Sequence, residues 1–301
     1  MASAVCRHDR PWARPRSVGG MGPGDHLCLT FDGEEEREHV VGAFARVGLH
    51  AGDKVLYVTD TPERSRVTAL LGGWGIDPEP HLASGQLVVE TATDLYLPGG
   101  VFDPDRTADA LLEAVVSARA QGYRALRLTA EMGWALRGLP GSEHLLEFEG
   151  RLRGVLAAGP AMAICQYDRN VFHPAALENV TRVHQAPVTV DAEYDDGILR
   201  ITRTFQPPGL RIEGEVDATT AGELERVLAA AASRGHGDVH VDLSCLEFID
   251  LGGLRALVAT ADGLEGARSL VLRGVRPHLR RLIRLVGWED TPGLVLEGGE
   301  A

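Results

Sequence analysis

Lysine is almost missing from this 301-residue chain: Lys54 is the only one, so nearly all of its 30 basic residues are arginine. We read that bias as the codon composition of a high-GC bacterial genome rather than as function. Positive charge is short overall, with 43 Asp and Glu giving a net charge of −13. Phosphate neutralisation needs clustered cations, so this balance excludes generic nucleic-acid binding. Long apolar runs are missing too, and none approaches the roughly 18 residues of a membrane span. Residues 1–19 hold Arg7, Arg10, Arg14 and Arg16 among Pro and Gly without an apolar core, which excludes a secretory signal and reads as a disordered leader. Cysteine is sparse: Cys6, Cys28, Cys165 and Cys245 form no Cys-x-x-Cys pair, which suits reduced thiols in a cytoplasmic protein. Neither a Gly-x-Ser-x-Gly elbow nor a His-Glu-x-x-His helix is present, so no enzyme activity is assigned.

What is present alternates. A strand at 26–31 leads to a helix at 34–47, whose first turn carries Glu34, Glu35 and Glu36, where the helix dipole favours anions. Strands follow at 54–58, 86–90, 125–130 and 161–167, with helices at 63–71, 106–121 and 142–156 between them. Strands and helices of these lengths predict an α/β domain, a mainly parallel sheet covered on both faces, over residues 20–185. Residues 186–197 read as a linker. Beyond them come strands at 198–205 and 210–216, a helix opened by a Thr220-x-x-Glu223 capping box, a strand from Val239, a helix near Gly252 capped by Asp250, a strand at 269–272, and a helix with Pro277 in its first turn.

The first domain resembles RecA-like ATPases in its order of elements, yet Phe31-Asp-Gly-Glu-Glu-Glu-Arg37 stands where a phosphate loop would place glycines and a lysine. More closely, it resembles the MEDS domain, a sensory module named after methanogens and methylotrophs. The shared words are His26-Leu-Cys28, the acidic run at Glu34–Glu36, Gly48-Leu-x-x-Gly52, Tyr96, Glu131-Met-x-Trp134, Glu147-Phe-Glu149, Cys165-x-Tyr167-Asp168 and His184. That resemblance implies a degenerate RecA-like scaffold that senses a small organic molecule. The last part, 198–301, resembles the STAS domain of anti-sigma factor antagonists, an α/β fold with a mixed sheet and helices. It does so through Gly214-Glu-Val-Asp217 and the turn Phe248-Ile-Asp250-Leu251-Gly252-Gly253-Leu254, where the family has Asp-Ser-Ser-Gly-Leu.

Candidate residues follow from both resemblances. At the turn they are Asp250, Leu251, Gly252 and Gly253, with Ser244 and Arg255 nearby. Leu251 replaces the serine that the family's partner kinase phosphorylates, and leucine has no hydroxyl to esterify. Arg276, Arg280, Arg281 and Arg284 add a basic stripe that reads as a solvated face. In the first domain, Asp32 and Glu131 are predicted at carboxyl ends of strands, where open α/β sheets bind ligands. Tyr96 and Trp134 would form apolar walls, with His26, Tyr167, Asp168 and His184 as polar contacts. His26, Cys28, Cys165 and His184 carry donors that zinc takes, but they lack local ligand spacing, so no metal or other cofactor is assigned. The expected function is a regulator in which the sensor biases a STAS domain that binds an anti-sigma factor of histidine-kinase-type ATPase fold, with homo-oligomerisation left open. The alternatives are a STAS scaffold that binds no sigma-factor kinase, and a degenerate ATPase.

Overall fold

A computed structural model describes residues 15–298, which divide into two units at Val190/Asp191. In the first, β1 (Arg16–Ser17), β2 (His26–Phe31), α1 (Glu34–Ala51), β3 (Lys54–Thr59), α2 (Ser65–Gly73), α3 (Pro78–Ala83), β4 (Leu87–Thr91), α4 (Ala92–Leu95), α5 (Pro104–Ala120), β5 (Leu126–Glu131), α6 (Leu145–Ala157), β6 (Ala161–Asp168), α7 (Pro174–Val183) and β7 (Ala186–Thr189) follow in order. The seven strands pair in the order β1-β7-β2-β6-β5-β3-β4, every pair parallel. A parallel sheet covered on both faces needs strands that are apolar almost throughout, as in Ala161-Met-Ala-Ile-Cys of β6, buried at every one of those residues.

Because side chains alternate across a strand, the sheet has two separate cores. Leu27, Leu29, Tyr57, Val89 and Ile164 pack with Val40, Val41 and Phe44 of α1 on one face. Cys28, Val58, Leu128, Cys165 and Tyr167 pack with Leu111 of α5 and Phe148 and Leu152 of α6 on the other.

Several boundaries differ from the sequence expectation for identifiable reasons. The leader ends earlier: Arg16 and Ser17 pair with Val188 and Thr189, and Val18 is buried with Val188 in the core under α1, while residues 1–14 lie outside the described part. Half of the expected linker is strand as well: Ala186–Thr189 joins the first sheet, where Ala186 pairs with Leu27, and Tyr194–Asp195 joins the second. Helix α1 runs four residues past Val47 to Ala51, because Gly48 is not a stop but a clearance: a Cβ there would lie 2.4 Å from Cδ of Arg127. The helix ends at Gly52, which takes the left-handed conformation (φ 80°) that glycine adopts without strain. Helix α7 was not expected; Pro174 occupies its first turn and His173 Nδ1 accepts from the Ala175 N–H at 3.2 Å.

The second unit contains β8 (Tyr194–Asp195), β9 (Leu199–Phe205), β10 (Pro208–Val216), α8 (Ala221–Ser233), β11 (Val239–Asp242), β12 (Leu246–Ile249), α9 (Leu251–Asp262), β13 (Leu270–Arg273), α10 (Pro277–Leu285) and β14 (Leu294–Leu296). Its sheet runs β14-β13-β11-β10-β9-β8, with β12 also on β10; the β8–β9 and β9–β10 pairs are antiparallel and the others parallel. This is the mixed sheet anticipated. The Thr220 capping box does not form: its hydroxyl instead accepts from Asp217 N–H at 2.9 Å, and Glu223 pairs with Arg226. Cys28 and Cys165 are buried free thiols, whereas Cys245 is disulfide-bonded, against the expectation of reduced cysteines; Cys6 lies outside the described residues. Among the described residues no helix is long and apolar enough to cross a membrane.

Candidate functional site

The residues singled out in the first unit do not form one pocket. They divide between opposite faces of the sheet, on each of which some of them join a polar cluster. The first lies under α1, at the carboxyl ends of β2, β3, β5 and β6, around a cleft of about 220 Å³ lined by Phe31, Asp60, Glu131, Gln166, Asp168 and others. Its centre is Arg37, buried on the apolar stripe of α1, which donates to Tyr57 Oη at 2.9 Å, Glu131 Oε1 at 3.0 Å and Gln166 Oε1 at 3.3 Å. Burial opposes the guanidinium charge, and the oxygens of Tyr57, Glu131 and Glu34 more than restore it, so its pKa is raised. The other oxygen of Glu131 accepts from Asp60 N–H at 2.9 Å. Half-buried Asp60 is pushed up to about 6, by burial first and by Glu131, although Arg137 beside it works the other way.

Asp32 and Glu131 do stand at strand carboxyl ends. Asp32, however, faces Arg169 at 3.3 Å rather than lining the cleft, and Asp168 accepts from Asn170 N–H at 2.8 Å as a turn cap. Tyr96 and Trp134 are not pocket walls. They stack at 5.1 Å in a closed aromatic cluster with Phe102 and Phe148, each ring almost wholly buried, because they sit on the α5–α6 side of the sheet.

The second cluster is on that side as well, and it brings His26, Cys165, Tyr167 and His184 around a residue the sequence reading did not select, Glu149 of α6. Glu149 Oε2 lies 3.1 Å from His26 Nε2, 3.4 Å from His184 Nε2 and 3.5 Å from Cys165 Sγ, while Oε1 accepts from the Tyr167 hydroxyl. Cys165 Sγ is 3.5 Å from His26 Nε2. Cys28 stands apart, with its thiol 3.9 Å from Thr181 Oγ1. Burial alone would raise Glu149, but His184, His26 and Tyr167 bring it down to about 2. Burial lowers His184 to about 4, against the pull of Glu149. These two tendencies compete for one proton, and the carboxylate, with His26, Cys165 and Tyr167 aimed at it, is the partner that stays charged. Burial and Glu149 push the Cys165 thiol well above its ordinary range.

Both missed centres carried a sequence signal. Glu149 falls among Leu145, Phe148 and Leu152, and Arg37 precedes Val40, Val41 and Phe44 at helical spacing, so each is a charge on an apolar stripe.

In the second unit the turn is built as anticipated. Asp250 caps α9 by accepting from Gly253 N–H at 2.8 Å. Gly253 is required by close approach, since a Cβ there would lie 2.5 Å from Val216 Cγ1 and 2.8 Å from Ile249 Cγ1. Gly252 is exposed, and Leu251, the first residue of α9, is 48% exposed beside Phe248 at 51%. Arg255 is exposed one turn further along and lines a groove between α8 and α9 with Thr260. Ser244 is not at the turn's surface; its backbone N–H donates to Asp242 Oδ1 at 3.0 Å and it packs against Gly274. The basic stripe is partly engaged, with Arg276 donating to Glu247 O, Arg280 to Glu297 O and Arg284 to Glu289.

Comparison with known proteins follows this division. A family profile described as MEDS, the methanogen/methylotroph DcmR sensory domain, matches residues 25–185, and one described as Mlab, STAS domain, matches residues 199–297. The transcriptional repressor DcmR of Methylorubrum extorquens is 25% identical over 162 residues, covering 54% of this chain; the chain spans 58% of that repressor's length. An anti-sigma-B factor antagonist of Staphylococcus epidermidis is 34% identical over 82 residues, 27% of this chain and 76% of that protein. Among solved structures, an anti-sigma factor antagonist from Mycobacterium paratuberculosis shares 30% identity over 35% of this chain and 82% of its own, with a TM-score of 0.26. A KaiC-like protein from Pyrococcus horikoshii shares 16% identity over 67% of this chain and 88% of its own, with a TM-score of 0.42. With more than half of its length matched by the first profile, and with three quarters of the staphylococcal antagonist matched by its last third, the chain belongs to the MEDS sensory-domain family and carries a STAS domain of the anti-sigma factor antagonist type.

Proposed function

We propose that this protein is a regulator of transcription that acts by binding and not by catalysis. The MEDS unit takes up a small organic molecule and biases the STAS unit, which docks on an anti-sigma factor of histidine-kinase-type ATPase fold and so releases a sigma factor. The observation that carries the reading is the entrance of α9, where Asp250 holds the helix and an exposed Leu251 replaces the family's serine. Leu251 and Phe248 make an apolar contact point that phosphorylation cannot switch off, so control passes to the sensor. A cleft of about 220 Å³ suits a ligand of a few heavy atoms, below the size of drug-sized pockets. Absence of nucleotide chemistry is supported by the start of α1, where Glu34, bonded to Arg37 at 2.6 Å and Arg66 at 2.8 Å, stands where a phosphate would need donors.

The test is capture of the native partner, followed by titration with purified components. The expected result is an ATPase-fold partner that transfers no phosphate to the turn, bound at least about tenfold more weakly by Leu251→Asp, a change of about 1.4 kcal/mol. The same substitution, at an exposed site, should alter folding stability by less than about 0.5 kcal/mol. Capture of other STAS proteins without any ATPase would replace this reading with a scaffold.

A further inference from the structure

We propose that the buried cluster of the MEDS unit is a four-coordinate site for a zinc-class divalent ion, with His26 Nε2, His184 Nε2, Cys165 Sγ and Glu149 Oε2 as ligands. All four atoms lie within 4.8 Å of one another, and the four residues are buried. A tetrahedron with Zn–N and Zn–O bonds of about 2.0–2.2 Å and a Zn–S bond of about 2.3 Å has N–O edges of about 3.4 Å and edges to sulfur of about 3.5–3.6 Å. The observed edges are 3.1 and 3.4 Å from nitrogen to oxygen, and 3.5 Å from sulfur to His26 Nε2 and to Glu149 Oε2. Four of the six edges between these side chains, which come from four separate segments, therefore already have about the length that such an ion demands, and the other two are no longer than 4.8 Å.

Hydrogen bonding at His184 points the same way, while His26 Nδ1 is buried without a partner. His184 Nδ1 lies 2.7 Å from the Val180 carbonyl and donates to it, which leaves Nε2 facing the Glu149 carboxylate. That Nε2 is buried and has no hydrogen-bond partner. A lone pair aimed at an anion across 3.4 Å is repulsive; a proton on Nε2 or a metal ion between them relieves it, and only the metal ion also draws in Cys165 Sγ and His26 Nε2. Val180 O and the Tyr167 hydroxyl on Glu149 Oε1 act as the outer contacts that orient metal ligands, and they leave one oxygen of Glu149 for the ion. Imidazole, thiolate and carboxylate together are a borderline set that zinc accepts in a tetrahedron. Coordination takes Cys165 as its thiolate, with the proton passing to water. All four positions are filled by protein, so the ion would tie β2, β6, α6 and the end of α7 together instead of offering an open coordination place.

The test uses the full chain produced in zinc-replete and in cobalt-replete cells, since a closed site loads as the chain folds. The expected zinc content is about one ion per chain, falling below about 0.1 in Cys165→Ala and His184→Ala and unchanged in Cys28→Ser, which lies outside the set. The cobalt form should show intense tetrahedral bands with a thiolate-to-cobalt charge-transfer band that persists in Cys28→Ser. Tyr167→Phe should weaken zinc retention against a chelator by about 10–100-fold while the protein stays folded. Wild-type protein with less than about 0.1 zinc per chain, cobalt spectra without the thiolate band, or full zinc content in folded Cys165→Ala would each overturn the assignment. Should the alanine variants fail to fold, the wild-type metal content and the cobalt spectra decide alone.

Discussion

The two units handle buried polarity in opposite ways. The MEDS unit buries Asp25, His26, Arg37, Asp53, Arg127, Glu149, Gln166 and His184, whereas among the described residues of the STAS unit Thr220 is the only polar side chain in that class. Burying a charge is costly unless it is paired, so the first unit holds its charges in networks, such as Arg127 Nε to Asp53 at 2.8 Å. The STAS unit keeps an apolar core of Leu, Val and Ile and leaves its distinctive residues at the surface. One unit carries its distinctive side chains inside, the other at its surface.

The largest effect expected from breaking this contrast is in the first unit. Arg127→Ala leaves Asp53 buried without its partner and should destabilise the MEDS unit by about 3–5 kcal/mol in denaturant unfolding. Replacing both residues by apolar ones should recover much of that loss, and failure to recover would mean that the pair contributes through Gly48 packing instead. Next comes Gly253→Ala in the STAS unit, where the new methyl meets Val216 and Ile249; overpacking of this kind costs about 1–3 kcal/mol, read as a lower unfolding midpoint. Asp250→Ala removes the cap of α9 and should cost about 1 kcal/mol, with partner affinity falling further than stability does.

The smallest effect is a pH dependence. Asp60 has a folded pKa of about 6, above its ordinary 3.8, so its charged form is disfavoured in the fold. The stability tied to its neutral form is present below the ordinary value and is lost as pH rises through about 6. Asp60→Asn should therefore show a melting temperature higher relative to wild type at pH 7 than at pH 4. Equal differences at both values would show that Arg137 holds Asp60 ionised throughout.

How much of this was legible in the sequence also divides between the units. In the STAS unit, local signals sufficed: Asp250 before a glycine-rich helix start and Pro277 in a first turn acted as their chemistry suggests. Thr220 was misread, because a hydroxyl that can cap a helix can equally accept from Asp217 N–H, and the disulfide at Cys245 has no local signal in the spacing of the cysteines. In the MEDS unit, the strands and their carboxyl-end residues were legible, but the composition of the clusters was not. Whether Tyr167 and Gln166, adjacent in β6, share a site depends on the alternation of the strand, which puts them on opposite faces. Whether Glu149 meets His26 depends on α6 and β2, more than one hundred residues apart, being packed on the same side of the sheet. Helix α7 matters most here, since its end delivers His184 and no strong pattern marked it beforehand.

The leucine at the mouth of α9 has a consequence for timing. An esterified serine keeps a record of past kinase activity until a phosphatase erases it, so a response built on it has memory and needs ATP to reset. A hydrocarbon side chain stores nothing. On the proposed reading, the output of this protein would follow its ligand's concentration as fast as the complexes form and part, and would vanish when the ligand does.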